Sequence, residues 1–168
     1  TPSPQHSYAW QQVLSLDELI QKLHEVINPH RQSKAAETMG CFADIGLRPL
    51  EFTRLINAAF RLGLAQHREL PLAFLDVGCG AGLKVMQAAQ LFQTAHGLEY
   101  DDCYVETARH VLSKAGRDAC KVFHADAREF DRYHEYDVIY LYRPMHVESG
   151  LIEIEEQILA QLRPGTLL

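Results

Sequence analysis

Apolar positions along this chain follow two periods, and the change between them divides it. Over the first 70 residues the spacing is helical. Leu19, Ile20, Leu23, Val26 and Ile27 form a stripe behind Ser15-Leu16-Asp17-Glu18, whose serine and glutamate have the spacing of a capping box. Asn28-Pro29 predicts the end of that helix. A second helix is expected over residues 32–39 and a third over 50–62, with Phe52, Leu55, Ile56 and Ala59 inward and Gly63 as its stop. Residues 41–49 between them read as a loop. From about residue 71, short apolar runs at 74–77, 96–100, 121–130 and 136–142 alternate with helical patterns at 83–92, 102–115 and around Leu151, Ile154, Ile158 and Leu162. That alternation predicts an α/β domain over 71–168, a doubly wound and mostly parallel sheet, behind an N-terminal helical extension or cap over 1–70.

The first predicted strand runs into Phe74-Leu75-Asp76-Val77-Gly78-Cys79-Gly80-Ala81-Gly82. Strand, glycine turn and helix start together make the nucleotide-binding corner of a doubly wound sheet. A dinucleotide fingerprint wants its third glycine three residues after the second, where this chain has Leu83. The pattern present, Asp76-x-Gly78-x-Gly80-x-Gly82, resembles motif I of the class I S-adenosylmethionine-dependent methyltransferases. The later strands carry further landmarks of that family in order, from about residue 72 to the last residue.

The resemblance implies S-adenosylmethionine as cofactor and assigns it a lining. Asp76, Gly78, Cys79, Gly80 and Gly82 would pass beneath its methionine and ribose. Glu99, 21 residues after Gly78, would accept the ribose hydroxyls, beside Tyr100. Asp126 and Ala127 would meet the adenine, and Tyr142 would pack beside the cofactor. The acceptor would arrive at Tyr142, Arg143, Pro144, Met145 and His146. The amino-methylating branch carries Asn/Asp-Pro-Pro-Tyr/Phe there, of which only Pro144 is present. His146 reads either as a general base or as an exposed loop histidine, and Arg143 either as an anchor for an anionic acceptor or as the partner of Glu148. No catalytic base is assigned. Residues 162–168 resemble the approach to a fifth strand, so the sequence is expected to be truncated there, the alternative being a short form that dimerises across its open edge. Helical extensions in this family cover the acceptor side or pack on the sheet edge.

Three functions fit these residues: a methyltransferase for a small molecule or a protein side chain, a domain that binds cofactor or partner without catalysis, and a nucleotide-dependent oxidoreductase. A net charge of −6 argues against a nucleic-acid partner. No apolar run has the length of a membrane span. Cys41, Cys79, Cys103 and Cys120 lack paired spacing and read as free thiols of a cytoplasmic protein, and the histidines show no metal-ligand spacing. Oligomeric state is not legible.

Overall fold

The computed structural model describes residues 8–66 and 70–168. Three helices come first: α1 (Tyr8–Ile27), α2 (Lys34–Met39) and α3 (Pro49–Ala65). Then β1 (Ala73–Val77), α4 (Leu83–Ala88), β2 (Thr94–Glu99), α5 (Asp102–Lys114), β3 (Val122–His124), β4 (Val138–Leu141) and α6 (Glu148–Gln161) alternate as predicted. The strands form one parallel sheet in the order β3-β2-β1-β4. The chain therefore winds outward from β1 to β3 and then crosses to the opposite side of β1. This reversal, between β1 and β4, is where a doubly wound sheet opens a crevice at the carboxyl ends of its strands.

Both faces of the sheet are buried, as parallel sheets require. Phe74, Val138 and Tyr140 point to one face and pack with Phe52 and Ile56 of α3, Val85 and Ala88 of α4, and Val105, Ala108 and Leu112 of α5. Leu75, Val77 and Ile139 point to the other, against Tyr133, Tyr136 and the α6 residues Ile154 and Ile158. Beyond α6, Leu167 makes a parallel bridge to Val138, donating to Asp137 O and accepting from Ile139 N, so residues 166–168 begin to pair along β4 where a fifth strand is expected.

The N-terminal half departs from expectation in three places. Helix α1 starts at Tyr8, one and a half turns or more before the predicted capping box, so Ser15 lies inside it and its hydroxyl bonds Gln11 O at 3.0 Å. The predicted apolar stripe is largely bare, with Leu19 63% and Val26 81% exposed, because α1 docks mainly on α3. Its one buried residue is polar: Asp17 accepts from Leu50 N at 2.7 Å and from Arg48 at 2.9 Å, and so caps α3 from another helix. Gly63 is no helix stop. It lies within α3, where a Cβ would come within 2.7 Å of Leu72 Cδ1, so it serves close packing, while Leu55 is half exposed rather than inward. Helix α4 also ends four residues early, although Phe92 is buried as expected. No described helix is long and apolar enough to cross a membrane.

Candidate functional site

The turn after β1 puts Gly78, Gly80 and Gly82 at φ of +76°, +52° and +82°, a region that side-chain-bearing residues rarely occupy. Each glycine also makes room for a neighbour. A Cβ on Gly78 would press on Pro144, one on Gly80 would overlap the Asp44 carboxyl, and one on Gly82 would sit 3.0 Å from Ala108 Cβ of α5. Gly82 thus provides the close helix packing that the third glycine of a dinucleotide fingerprint provides one position later. Cys79 points away from the cleft, buried against Gly97 of β2, and burial pushes its thiol well above the ordinary range.

The amides of the turn are all engaged by protein. Gly78 and Cys79 donate to Leu98 O at 2.8 and 3.1 Å, and Gly82 donates to Cys79 O at 3.0 Å. Gly80 donates to Glu99 Oε2 at 2.8 Å, and Ala81 to Asp44 Oδ2 at 3.1 Å. Glu99, at the tip of β2, also accepts from Tyr100 N and Asp101 N through Oε1, both at 2.9 Å. Burial raises its carboxyl above the usual range against the pull of these three amides.

A cleft runs along the strand ends, with about 810 Å³ of empty space that includes its opening to solvent. It is lined by Asp76, Gly78, Gly80, Glu99, Tyr100, Asp126, Ala127, Tyr142 and Arg143 of the sequence candidates. Cys79, Gly82 and His146 are not on its wall. His146 is exposed, edge-on to Phe42 at 5.5 Å, in a shallow depression with Arg143, Met145 and Leu151 next to the cleft. The Arg143 guanidinium lies over the Phe42 ring at 5.5 Å and forms no ion pair with Glu148, so of the two readings open for it the ion pair is absent.

Asp76 is the electrostatic centre of this wall. It is 1% exposed, its Oδ2 has no hydrogen-bond partner, and burial, with Asp44 and Glu99 adding to it, pushes its pKa up to about 7. Lys84 pulls the other way. Tyr140, opposite Asp76 in the β1–β4 register, is a second buried side chain whose hydroxyl has no partner. Asp126 differs. Arg128 grips both of its oxygens, at 2.6 to 3.2 Å, and so holds the Asp126 carboxyl below its ordinary range against the effect of burial; Arg128 also reaches Glu153.

Residues 40–46, all but the first within the loop read from sequence over 41–49, cross the cleft as a strap. One end is tied to the segment after β4 by the antiparallel Cys41–Met145 bridge, with Phe42 N donating to Pro144 O and His146 N to Gly40 O. The other end puts Asp44 on the glycine turn, with His24 Nε2 3.0 Å from Oδ2 and Tyr104 Oη 3.3 Å from its backbone nitrogen. Sequence reasoning missed Asp44, Phe42, Lys84, Tyr104 and Arg128. For Asp44 the available signal was one charged residue inside the otherwise apolar run Cys41-Phe42-Ala43-Asp44-Ile45.

Comparison with known proteins agrees with this fold. A family described as a methyltransferase domain matches residues 74–165. Among solved structures, an amino pentose methyltransferase from Micromonospora echinaspora, CalS10 bound to S-adenosylmethionine, aligns with a TM-score of 0.55 at 22% identity, covering 74% of this chain and 56% of that one. An RNA methyltransferase from Salinibacter ruber in complex with S-adenosylhomocysteine aligns at 0.51 and 26% identity over 66% of this chain and 71% of that one. A precorrin-6y C5,15-methyltransferase from Geobacter metallireducens aligns at 0.55 and 19% identity over 72% and 59%. This chain thus spans just over half the length of the first of these. No curated protein matches the sequence. On the match over residues 74–165, which runs from β1 through α6, the chain belongs to the methyltransferase domain family.

Proposed function

We propose that this chain is the cofactor-binding and catalytic part of an S-adenosylmethionine-dependent methyltransferase whose acceptor is a small molecule or a protein side chain. The observation that carries this reading is how the turn spends its amides. A dinucleotide site offers free N–H groups to a pyrophosphate. Here the amides from Gly78 to Gly82, apart from that of Ala81 on Asp44 and Gly80 on Glu99, end on backbone carbonyls, and those two end on carboxylates. None of the turn amides from Gly78 to Gly82 is left over for phosphate, and Asp44, Asp76 and Glu99 would repel one. The same three acids suit a phosphate-free ligand carrying positive charge, and the unpartnered Asp76 Oδ2 needs a donor.

When bound, the cofactor supplies an electrophilic methyl group on a sulfonium for in-line displacement. The residues of the chain bind and orient. A carboxylate offers roughly four lone-pair sites; Glu99 spends three on amides, so it can take one ribose hydroxyl while it holds Gly80. Asp126 and Ala127, on the same cleft wall, would take the adenine, whose amine would share Asp126 with Arg128. Tyr142 and Arg143 flank the approach of the acceptor, which must come within roughly 3–3.5 Å of the methyl group. His146, in the adjoining depression, is the candidate proton acceptor for an oxygen nucleophile. The net charge of −6 favours a small-molecule or protein acceptor over nucleic acid, and four free cysteines favour a cytoplasmic setting.

Calorimetric titration with S-adenosylmethionine, S-adenosylhomocysteine and NADH tests this reading. Binding of the first two without NADH is expected. NADH binding alone would replace it with an oxidoreductase, and cofactor binding with no methyl transfer across an acceptor panel would leave a non-catalytic domain.

A further inference from the structure

We propose that Asp44, supplied by the strap and not by the sheet, is a cofactor-recognition residue. Its carboxylate and that of Asp76 receive the α-ammonium group at the methionyl end of S-adenosylmethionine, and Lys84 receives the adjoining carboxylate. The inference rests on the reading that this cleft takes that cofactor and names a contact that the glycine turn alone does not provide.

Four observations meet here. Asp44 occupies the space that the missing Gly80 side chain leaves, so it stands on the turn itself. It is fixed in place by three different elements: the turn through Ala81 N, α1 through His24, and α5 through the Tyr104 hydroxyl on its backbone amide. All of its described side-chain contacts use Oδ2, so Oδ1 retains its full accepting capacity among the described residues. Asp76, on the same cleft wall, has a fully buried Oδ2 without a partner.

The charge pattern matches a zwitterion. Burial alone would raise the Asp44 carboxyl, but His24, Lys84 and the Ala81 amide outweigh it and hold it below the ordinary range. Asp44 is therefore ionised at neutral pH beside an Asp76 that titrates near 7. A cation placed between them removes their mutual repulsion and satisfies Asp76. Lys84 lines the same wall and acts on both acids, so it is the one cation placed at this end of the cleft among its lining residues that is not already gripped by a carboxylate or stacked on a ring. An amino-acid end, with one ammonium and one carboxylate, is the ligand group that these charges recognise together.

The test compares two probes on wild-type protein and Asp44→Asn: S-adenosylhomocysteine, which has the amino-acid end, and 5′-methylthioadenosine, which shares the adenosine and thioether but lacks that end. Loss of one charge-assisted contact predicts about 10- to 100-fold weaker S-adenosylhomocysteine binding in the variant, with 5′-methylthioadenosine affinity and the unfolding midpoint unchanged. Unchanged or tighter S-adenosylhomocysteine binding would overturn the proposal. So would equal weakening of both probes, because Asp44 would then act through the shape of the turn. Failure of wild-type protein to bind S-adenosylhomocysteine would instead remove the underlying reading of the cleft.

Discussion

Glu99 Oε2 accepts the Gly80 amide at 2.8 Å, which ties the tip of β2 to the middle of the glycine turn. The residue expected to hold the cofactor's ribose is therefore also a structural clamp. Glu99→Ala leaves the Gly80, Tyr100 and Asp101 amides without their acceptor. Unmet buried donors cost roughly 1–3 kcal/mol. Both urea-unfolding stability and S-adenosylhomocysteine affinity should fall in this variant. Loss of affinity with full stability would mean that the clamp contributes nothing to the fold.

Two glycines with similar backbone angles should respond differently to alanine. Gly80 and Gly116 sit at φ of +52° and +66°. A Cβ on Gly116 meets nothing within 4 Å, whereas one on Gly80 overlaps Asp44. Gly116→Ala should cost only the backbone term, on the order of 1 kcal/mol. Gly80→Ala should cost more and also displace the strap. Thermal melts of the two, with protease susceptibility at residues 40–46, would show the difference.

Asp76 gives a pH dependence of known sign. Its folded pKa, about 7, lies above that of an unfolded carboxyl, so between roughly pH 4 and 7 the folded state holds the extra proton. Stability from this group is complete at the acid end of that window and is lost as pH rises through it. Asp76→Asn should therefore raise the unfolding midpoint more at pH 8 than at pH 5. Affinity for a cationic ligand should move the opposite way in wild-type protein, tightening from pH 6 to 8 as Asp76 ionises. A flat affinity profile would place the ligand's charge elsewhere.

Asp17 joins the first and third helices. Because it caps α3 and pairs with Arg48 while 3% exposed, Asp17→Ala should destabilise by about 1–2 kcal/mol. If the strap depends on how α1 is seated, through His24 and Asp44, cofactor affinity should fall with it. Denaturant titration and calorimetry on the same variant check both effects.

The sheet was legible because a buried parallel strand must be apolar and its helices amphipathic, so Phe74 to Val77, Val138 to Leu141 and the Ile154–Ile158 face announce themselves. Asp76, Glu99 and Asp126, picked out through the resemblance of their strand ends to a family's motifs, all line the cleft. The strap was not legible, because a loop has no period, and nothing local to Asp44 says that it will meet Gly80, 36 residues on. The α1 stripe misled for the converse reason: periodicity reports that a face could be buried, not that a neighbour exists. The Ser15 and Glu18 spacing failed because helix-forming residues from Tyr8 onward continue α1 through it.

Its two moorings make the segment 40–46 a brace between the two loops that border the cleft. One knot holds the segment after β4, at Met145 and Pro144, and the other holds the glycine turn after β1. A chain segment this short has little slack, so slipping one knot loosens the other. A substitution that frees either knot is therefore felt at both walls of the cleft.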